Sequence, residues 1–149
     1  MLRTMPTRCG TLTFSRRPDD EIYAALGAGE VDIWWNLALE LGDLTPRMHE
    51  HAAEVLVGRI PDFGVPSDVP AFAEQLDRVV TLLGCFGHVH VSCYGGRGRT
   101  GLALACVRML LDDEEPAVAL AAAREASGGP ETDAQAAFVV DLYRALRGE

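Results

Sequence analysis

The chain has 149 residues, 48% of them hydrophobic, and carries 13 arginines, no lysine and 22 carboxylates for a net charge of −9. That length predicts one α/β domain, residues 1–149, burying roughly 68–70% of its unfolded surface. No apolar run reaches the ~18 residues of a membrane span, and the acidity opposes nucleic-acid binding and anionic membrane surfaces, which both need positive charge. In chain order, residues 1–10 hold arginines but no long apolar stretch, so no secretory signal is expected. Gly10 to Ser15 reads as a strand. Pro18 to Leu26 reads as a helix, with Pro18 in its first turn and Gly27 as its stop. Val31 to Leu37 is an aromatic and β-branched strand in which at least one of Trp34 and Trp35 is core. Residues 46–53 read as a short helix and Val55 to Ile60 as a strand. Ser67 or Asp68 caps a helix to Leu83, with Phe72, Leu76, Val79, Val80 and Leu83 at helical spacing. Gly87 to Ser92 is a strand, followed by helices over 99–111, 116–126 and 133–146.

Strands alternating with helices predict an α/β sandwich with a mostly parallel sheet flanked by helices. Ligands in such folds sit at the carboxyl ends of the strands. Cys93 and Asp62 each follow a strand, so both reach one face. His88 and His90 read as satisfied sheet residues rather than metal ligands. Cys9, Cys85, Cys93 and Cys106 show no zinc or Cys-x-x-Cys spacing and fit a reducing cytoplasm. Cys85 and Cys106 read as structural, with a redox partnership between Cys85 and Cys93 as the alternative.

The stretch from 88 to 101 carries the chemistry. An alternating strand runs into Cys93; Tyr94, Gly95, Gly96, Arg97 and Gly98 follow; then come Arg99, Thr100 and a helix-forming run. Such a loop at a helix N-terminus converges backbone N–H groups on an anion, and the helix dipole adds to the pull. A cysteine there is placed to act as a thiolate. Arg99 returns to the same cradle, where its planar fork matches two phosphate oxygens. Taken alone, Cys93 reads as a buried structural cysteine; with Gly96, Gly98 and Arg99 in register it reads as a nucleophile. Thr100 begins a helix or serves that cysteine, and Asp62 is a turn residue or an acid.

Cys93, five intervening residues, Arg99 and Thr100 resemble the Cys-x5-Arg-Ser/Thr signature of the cysteine-based protein tyrosine phosphatases, and Gly96, Gly98 and Gly101 match its inner spacing. Residues 61–66, Pro-Asp-Phe-Gly-Val-Pro, are similar to that family's mobile acid loop. Residues 131–135, Glu-Thr-Asp-Ala-Gln, are similar to its late glutamine motif. The order acid, nucleophile, glutamine excludes the low-molecular-weight phosphatases. The resemblance covers most of the chain and is greatest to the small atypical dual-specificity phosphatases. It implies hydrolysis of a phosphomonoester through a phosphocysteine, without metal or cofactor. Cys93 is then the nucleophile and Arg99 the phosphate fork. Asp62 is the general acid, and Thr100 stabilises the departing thiolate. Gln135 positions water in this reading; the alternative is an exposed helix residue. Residues Tyr94 to Arg99 form the substrate-binding loop.

Three residues depart from the family pattern: Ser92 replaces the histidine before the cysteine, Ala126 an arginine, and Pro130 an apolar residue. The expected partner is a phosphorylated protein or small phosphomonoester, with phosphotyrosine leading. Arg97 at the fourth loop position leaves a phosphoinositide or inositol phosphate as the first alternative; an RNA 5′-phosphatase is opposed by the acidity. A phosphate-recognising module with weak turnover is the alternative from another class, opposed by the intact Cys93, Arg99 and Asp62.

Overall fold

The computed structural model describes residues 2–149. Five strands, β1 (Arg3–Met5), β2 (Thr11–Ser15), β3 (Val31–Ala38), β4 (Ala52–Ile60) and β5 (His88–Ser92), form one sheet in the order β1-β2-β5-β3-β4. β1 runs antiparallel to β2, and every other pairing is parallel. Six α-helices surround it: α1 (Asp20–Leu26), α2 (Thr45–Met48), α3 (Val69–Gly84), α4 (Gly98–Leu111), α5 (Pro116–Ser127) and α6 (Asp133–Leu146), with a 3₁₀ segment at Leu39–Leu44.

The strand register explains both cores. Leu12, Val89 and Ile33 lie in one row across the sheet, and Phe14, Val91 and Trp35 in the next. These rows join Leu76 of α3, Leu102 and Cys106 of α4, and Val139 of α6 in the larger core. Trp34, one residue before Trp35, must point the other way. It packs with Ile22 and Tyr23 of α1 and Met48 of α2. Both tryptophans are therefore fully buried, one in each layer. α4 is buried nearly all round, as an apolar helix between the sheet and α5 and α6 must be.

Several boundaries differ from the sequence expectation, each for a local reason. Asp19, not Pro18, starts α1: its side chain accepts from the Ile22 backbone N–H, so Pro18 lies ahead of the helix. Asp68 rather than Ser67 caps α3, accepting from Ala71 N–H at 3.0 Å. The helix expected over 46–53 shrinks to the single turn α2. Ala52 pairs with Val31, and sheet pairing overrides the helical preference of Ala52 and Ala53. β1 carries too few residues to show a period, yet its pairing with β2 buries Met5. Cys106 is core, and burial pushes its thiol up. Cys85 is not structural; it is exposed at the C-terminal end of α3. It precedes β5 while Cys93 follows it, so the length of a strand separates them and no redox pair is brought together.

His90 is a satisfied sheet residue. Its Nδ1 lies 2.9 Å from Thr13 Oγ1 and its Nε2 2.9 Å from Ser15 Oγ. Burial, with a smaller effect of neighbouring His88, pushes its pKa down to about 3. Below its ordinary value the unfolded chain takes up a proton that the folded chain refuses. Stability should therefore fall as pH drops through the window from ~6.5 toward 3, by up to ~1.4 kcal/mol per pH unit. His88, also held low by burial, adds to the fall. Between pH 6.5 and about 5.5 ordinary carboxylates stay almost wholly ionised, so that interval reports the histidines. His90→Gln is expected to flatten the decline of Tm across it, measured by circular dichroism. An unchanged slope would remove His90 as the cause.

Candidate active site

The parallel strands β2 and β5 end together at Ser15 and Ser92, in one row with Asn36 of β3, which runs two residues further. The loop from Cys93 to Arg97 leaves β5 at this edge and turns directly into α4. Cys93 is 2% exposed. Its Sγ accepts from the Gly96 N–H at 3.2 Å and from Thr100 Oγ1 at 3.0 Å. The loop can close this tightly only because of its glycines. Gly96 takes φ 73°, and a Cβ there would sit 2.8 Å from the Arg16 backbone N. A Cβ on Gly101, in the first turn of α4, would run into the Gly129 backbone. The Tyr94 carbonyl is held by the Arg17 N–H at 2.8 Å.

The Arg99 side chain is buried beneath the loop. Nη1 donates to Glu40 Oε1 at 2.6 Å and to the Ile60 carbonyl at 2.9 Å, and Nη2 donates to Glu40 Oε2 at 2.8 Å. Among the described residues no acceptor engages Nε, so Nε and the outer Nη2 hydrogen are the edge left for an anion. Glu40 had no place in the sequence reading. It follows β3 at the same edge where Cys93 follows β5 and Asp62 follows β4, which is the signal that could have found it. The Arg99 hydrogen bonds hold the Glu40 carboxyl below the ordinary carboxylate range. The pair is therefore intact above about pH 4 and is lost only as pH falls through that lowered value. Glu40→Gln should loosen the guanidinium and lower kcat/KM by about 10- to 100-fold in steady-state assays with an aryl phosphate. No loss would mean the Ile60 carbonyl alone orients Arg99.

Asp62 stands over Arg99, with Oδ1 3.4 Å from Nη2 and 61% of its side chain exposed. The loop that carries it is tightly wound. Gly64 N–H donates to the Pro61 carbonyl at 2.9 Å, and Phe63 sits at φ 58°, in the left-handed region. Gln135 ties this loop down from α6: Nε2 donates to the Gly64 carbonyl at 3.0 Å. Its Oε1 accepts from the Glu131 and Thr132 N–H groups, completing a capping box with Thr132. Gln135 is fully buried, so the exposed-helix reading is overturned. Its amide is engaged with backbone at both ends.

Ser92 accepts from Trp34 Nε1 at 2.8 Å in the layer of α1, so the position that departs from the family pattern is matched to a tryptophan on β3. Arg97 does not turn toward Cys93. Its Nε and Nη2 lie over Gly128 on the far side of the loop, 3.1 Å from where a Cβ on Gly128 would stand. Gly95 and Gly96 lie between the two sides. Among the described residues no helix is long and apolar enough to cross a membrane.

No family model and no curated protein matches the sequence; the similarity is to solved structures. A glycine-to-alanine mutant form of Tk-PTP superposes with a TM-score of 0.78 at 26% identity, covering 93% of each chain. PTPMT1 in complex with PI(5)P gives 0.72 at 12% identity over 92% of each chain. TpbA of P. aeruginosa, in complex with pTyr, gives 0.62 at 20% identity, covering 93% of this chain and 86% of the other. The matched fold, together with a buried cysteine and arginine on one glycine-rich loop, places this chain in the cysteine-based protein tyrosine phosphatase superfamily.

Proposed function

We propose that residues 1–149 act as one phosphatase domain, working in a reducing cytoplasm, that hydrolyses phosphotyrosine on proteins through a phosphocysteine. Cys93 Sγ attacks phosphorus while the ester P–O bond breaks, and Asp62 delivers its proton to the leaving oxygen. Water then attacks phosphorus, Asp62 takes the water proton, and the S–P bond breaks to release inorganic phosphate. Thr100, donating to Sγ, stabilises the departing thiolate. Arg99 and the backbone N–H groups of Tyr94 to Gly98 hold the phosphoryl oxygens. Gln135 keeps the acid loop over them.

The observation that carries the choice of substrate is the rim. Leu39, Phe63 and Tyr94 are 53%, 60% and 51% exposed, and each is the sequence neighbour of a site residue: Glu40, Asp62 and Cys93 in turn. Exposed large apolar groups around a buried anion cradle suit an aryl group standing on its phosphate. A phosphoinositide is the second reading, favoured by the likeness to PTPMT1 with PI(5)P and opposed by the net charge of −9.

The test is a panel of phosphotyrosine, phosphoserine and phosphothreonine peptides, phosphoinositides in micelles and 5′-phosphorylated RNA, assayed with EDTA. Phosphotyrosine should give the highest kcat/KM. A higher value for phosphoinositides would put that reading first. Complete inhibition by EDTA would point to a metal enzyme, and no turnover of any substrate to a binding module.

A further inference from the structure

His88 and His90 of β5 and Thr13 and Ser15 of β2 line up on the face of the sheet that packs against α1. Thr13 Oγ1 lies 2.7 Å from His88 Nε2 and 2.9 Å from His90 Nδ1. Ser15 Oγ lies 2.9 Å from His90 Nε2 and 2.9 Å from the Arg16 carbonyl. His88 Nδ1 lies 3.3 Å from the Glu30 carbonyl. A hydroxyl has one hydrogen to give, and a neutral imidazole has one donor and one acceptor nitrogen. The direction of one bond therefore sets the direction of the others. His90 is fully buried, with Trp34 edge-on against its ring, and burial keeps it neutral. When His88 is also neutral its proton belongs on Nδ1, because the Glu30 carbonyl there only accepts. His88 Nε2 then accepts from Thr13, Thr13 accepts from His90 Nδ1–H, and the bare His90 Nε2 accepts from Ser15. When His88 is protonated, its Nε2 donates and every bond reverses. His88 donates to Thr13, Thr13 to His90 Nδ1, His90 Nε2–H to Ser15, and Ser15 to the Arg16 carbonyl.

We propose that this row is a proton-linked relay: protonation of His88, at the start of β5, switches the His90 tautomer and turns the Ser15 hydroxyl onto the segment that braces the Cys93 loop. The row takes up one proton in all, from water. His90 gains one on Nε2 and gives one up from Nδ1, each hydroxyl ends with the single hydrogen it began with, and His88 carries the added charge. The receiving segment touches the loop directly. The Arg16 backbone packs against Gly96, and the Arg17 N–H holds the Tyr94 carbonyl at 2.8 Å. The Arg16 carbonyl and the Arg17 N–H are two ends of one peptide group, so a donor on the first polarises the second and strengthens its bond to Tyr94. The charges facing His88 come from the start of β3: Asp32, whose carboxylate accepts from the His88 backbone N–H at 2.8 Å, and Glu30. Both favour the protonated ring, while burial, the larger effect, places its titration below the ordinary histidine value. From α1 the titratable group is Tyr23, which stacks with His51 and Trp34 and carries the Arg47 guanidinium over its ring. Arg16 stands at the far end, paired with Asp19.

The experiment is a nitrogen-15 NMR titration of the native protein's histidine rings from about pH 8 to about pH 4.5, which reads the charge and the tautomer of each ring separately. The expected result is that His88 gains charge while His90, still neutral, passes from the Nδ1–H to the Nε2–H form with the same midpoint. Exchange of the Arg17 N–H, corrected for its intrinsic pH dependence, should slow across that midpoint by about two- to tenfold, the worth of one hydrogen bond. Thr13→Val, which lies outside the proposed catalytic groups, should leave His88 titrating and His90 fixed in one tautomer. A His90 tautomer that stays constant in the native protein while His88 charges would overturn the relay, as would His90 becoming charged along with His88. A tautomer change that persists in Thr13→Val would overturn the route through Thr13. Unchanged Arg17 exchange in the native protein would overturn the link to the Cys93 loop. None of these readouts depends on which substrate the site takes.

Discussion

Cys93→Ser is expected to lower turnover by at least ~10⁴-fold while leaving phosphate or vanadate binding nearly intact. The reason lies in what surrounds Sγ. The Gly96 N–H and the Thr100 hydroxyl point at it, and the loop that aims them is braced from outside by the Arg17 N–H and by the close approach of Gly96 to Arg16. None of those contacts needs sulfur, so the cradle survives and only the nucleophile is lost. Arg99→Lys tests the other half of the site. The guanidinium meets Glu40 through two nitrogens and Ile60 through one, and still leaves an edge for phosphate. An ammonium has three donors around one point and cannot do both. We expect a loss of about 10²–10³-fold, with weakened vanadate binding, read by calorimetry beside steady-state kinetics. Near-normal hydrolysis by either variant would rule out the phosphocysteine route.

The parts of this site that lie close together in sequence were legible there. Residues 93–100 carry cysteine, turn and arginine within one strand-loop-helix passage, and the glycine spacing has a steric meaning at Gly96 and Gly101, where a Cβ would meet backbone. The parallel sheet also followed from the alternation of strands and helices, and with it the meeting of Cys93 and Asp62 at one edge. What escaped depends on contacts distant in sequence. Glu40 reaches Arg99 across 59 positions, and nothing in its own neighbourhood distinguishes it from any surface carboxylate. Gln135 was read as water-positioning or as exposed on a helix. Only the fold shows that its side-chain N–H reaches the Gly64 carbonyl in the Asp62 loop, 71 positions away. Arg97 was read as part of the substrate-binding loop, but its guanidinium lies over Gly128, away from Cys93. Cys85 looked structural because cysteines are so often buried; the end of α3 leaves it exposed.

Asp62→Asn should separate substrates by leaving group. In the first step the departing oxygen needs a proton in proportion to its basicity. An alkyl oxygen, as in phosphoserine, depends on the donor, whereas an activated aryl oxygen leaves almost unaided. We expect kcat/KM to fall by about 10²–10⁴-fold for phosphoserine and phosphothreonine peptides, less for phosphotyrosine, and least for a nitrophenyl phosphate. Asp62 is placed for this. Its carboxylate is mostly exposed and lies 3.4 Å from Arg99 Nη2, on the side of the cradle where the leaving group must emerge. The same variant should expose the second step. If the Asp62 carboxylate takes the proton from water, its amide cannot, and hydrolysis of the phosphocysteine slows for every substrate alike. An activated aryl phosphate would then form the intermediate quickly and release it slowly. Rapid mixing should show a burst of aryl alcohol close to one equivalent per protein, followed by a slow steady state, and acid quenching should recover labelled phosphate on the protein. A uniform loss across all leaving groups, with no burst, would remove Asp62 from both proton transfers. It would leave the carboxylate only an electrostatic part beside Arg99.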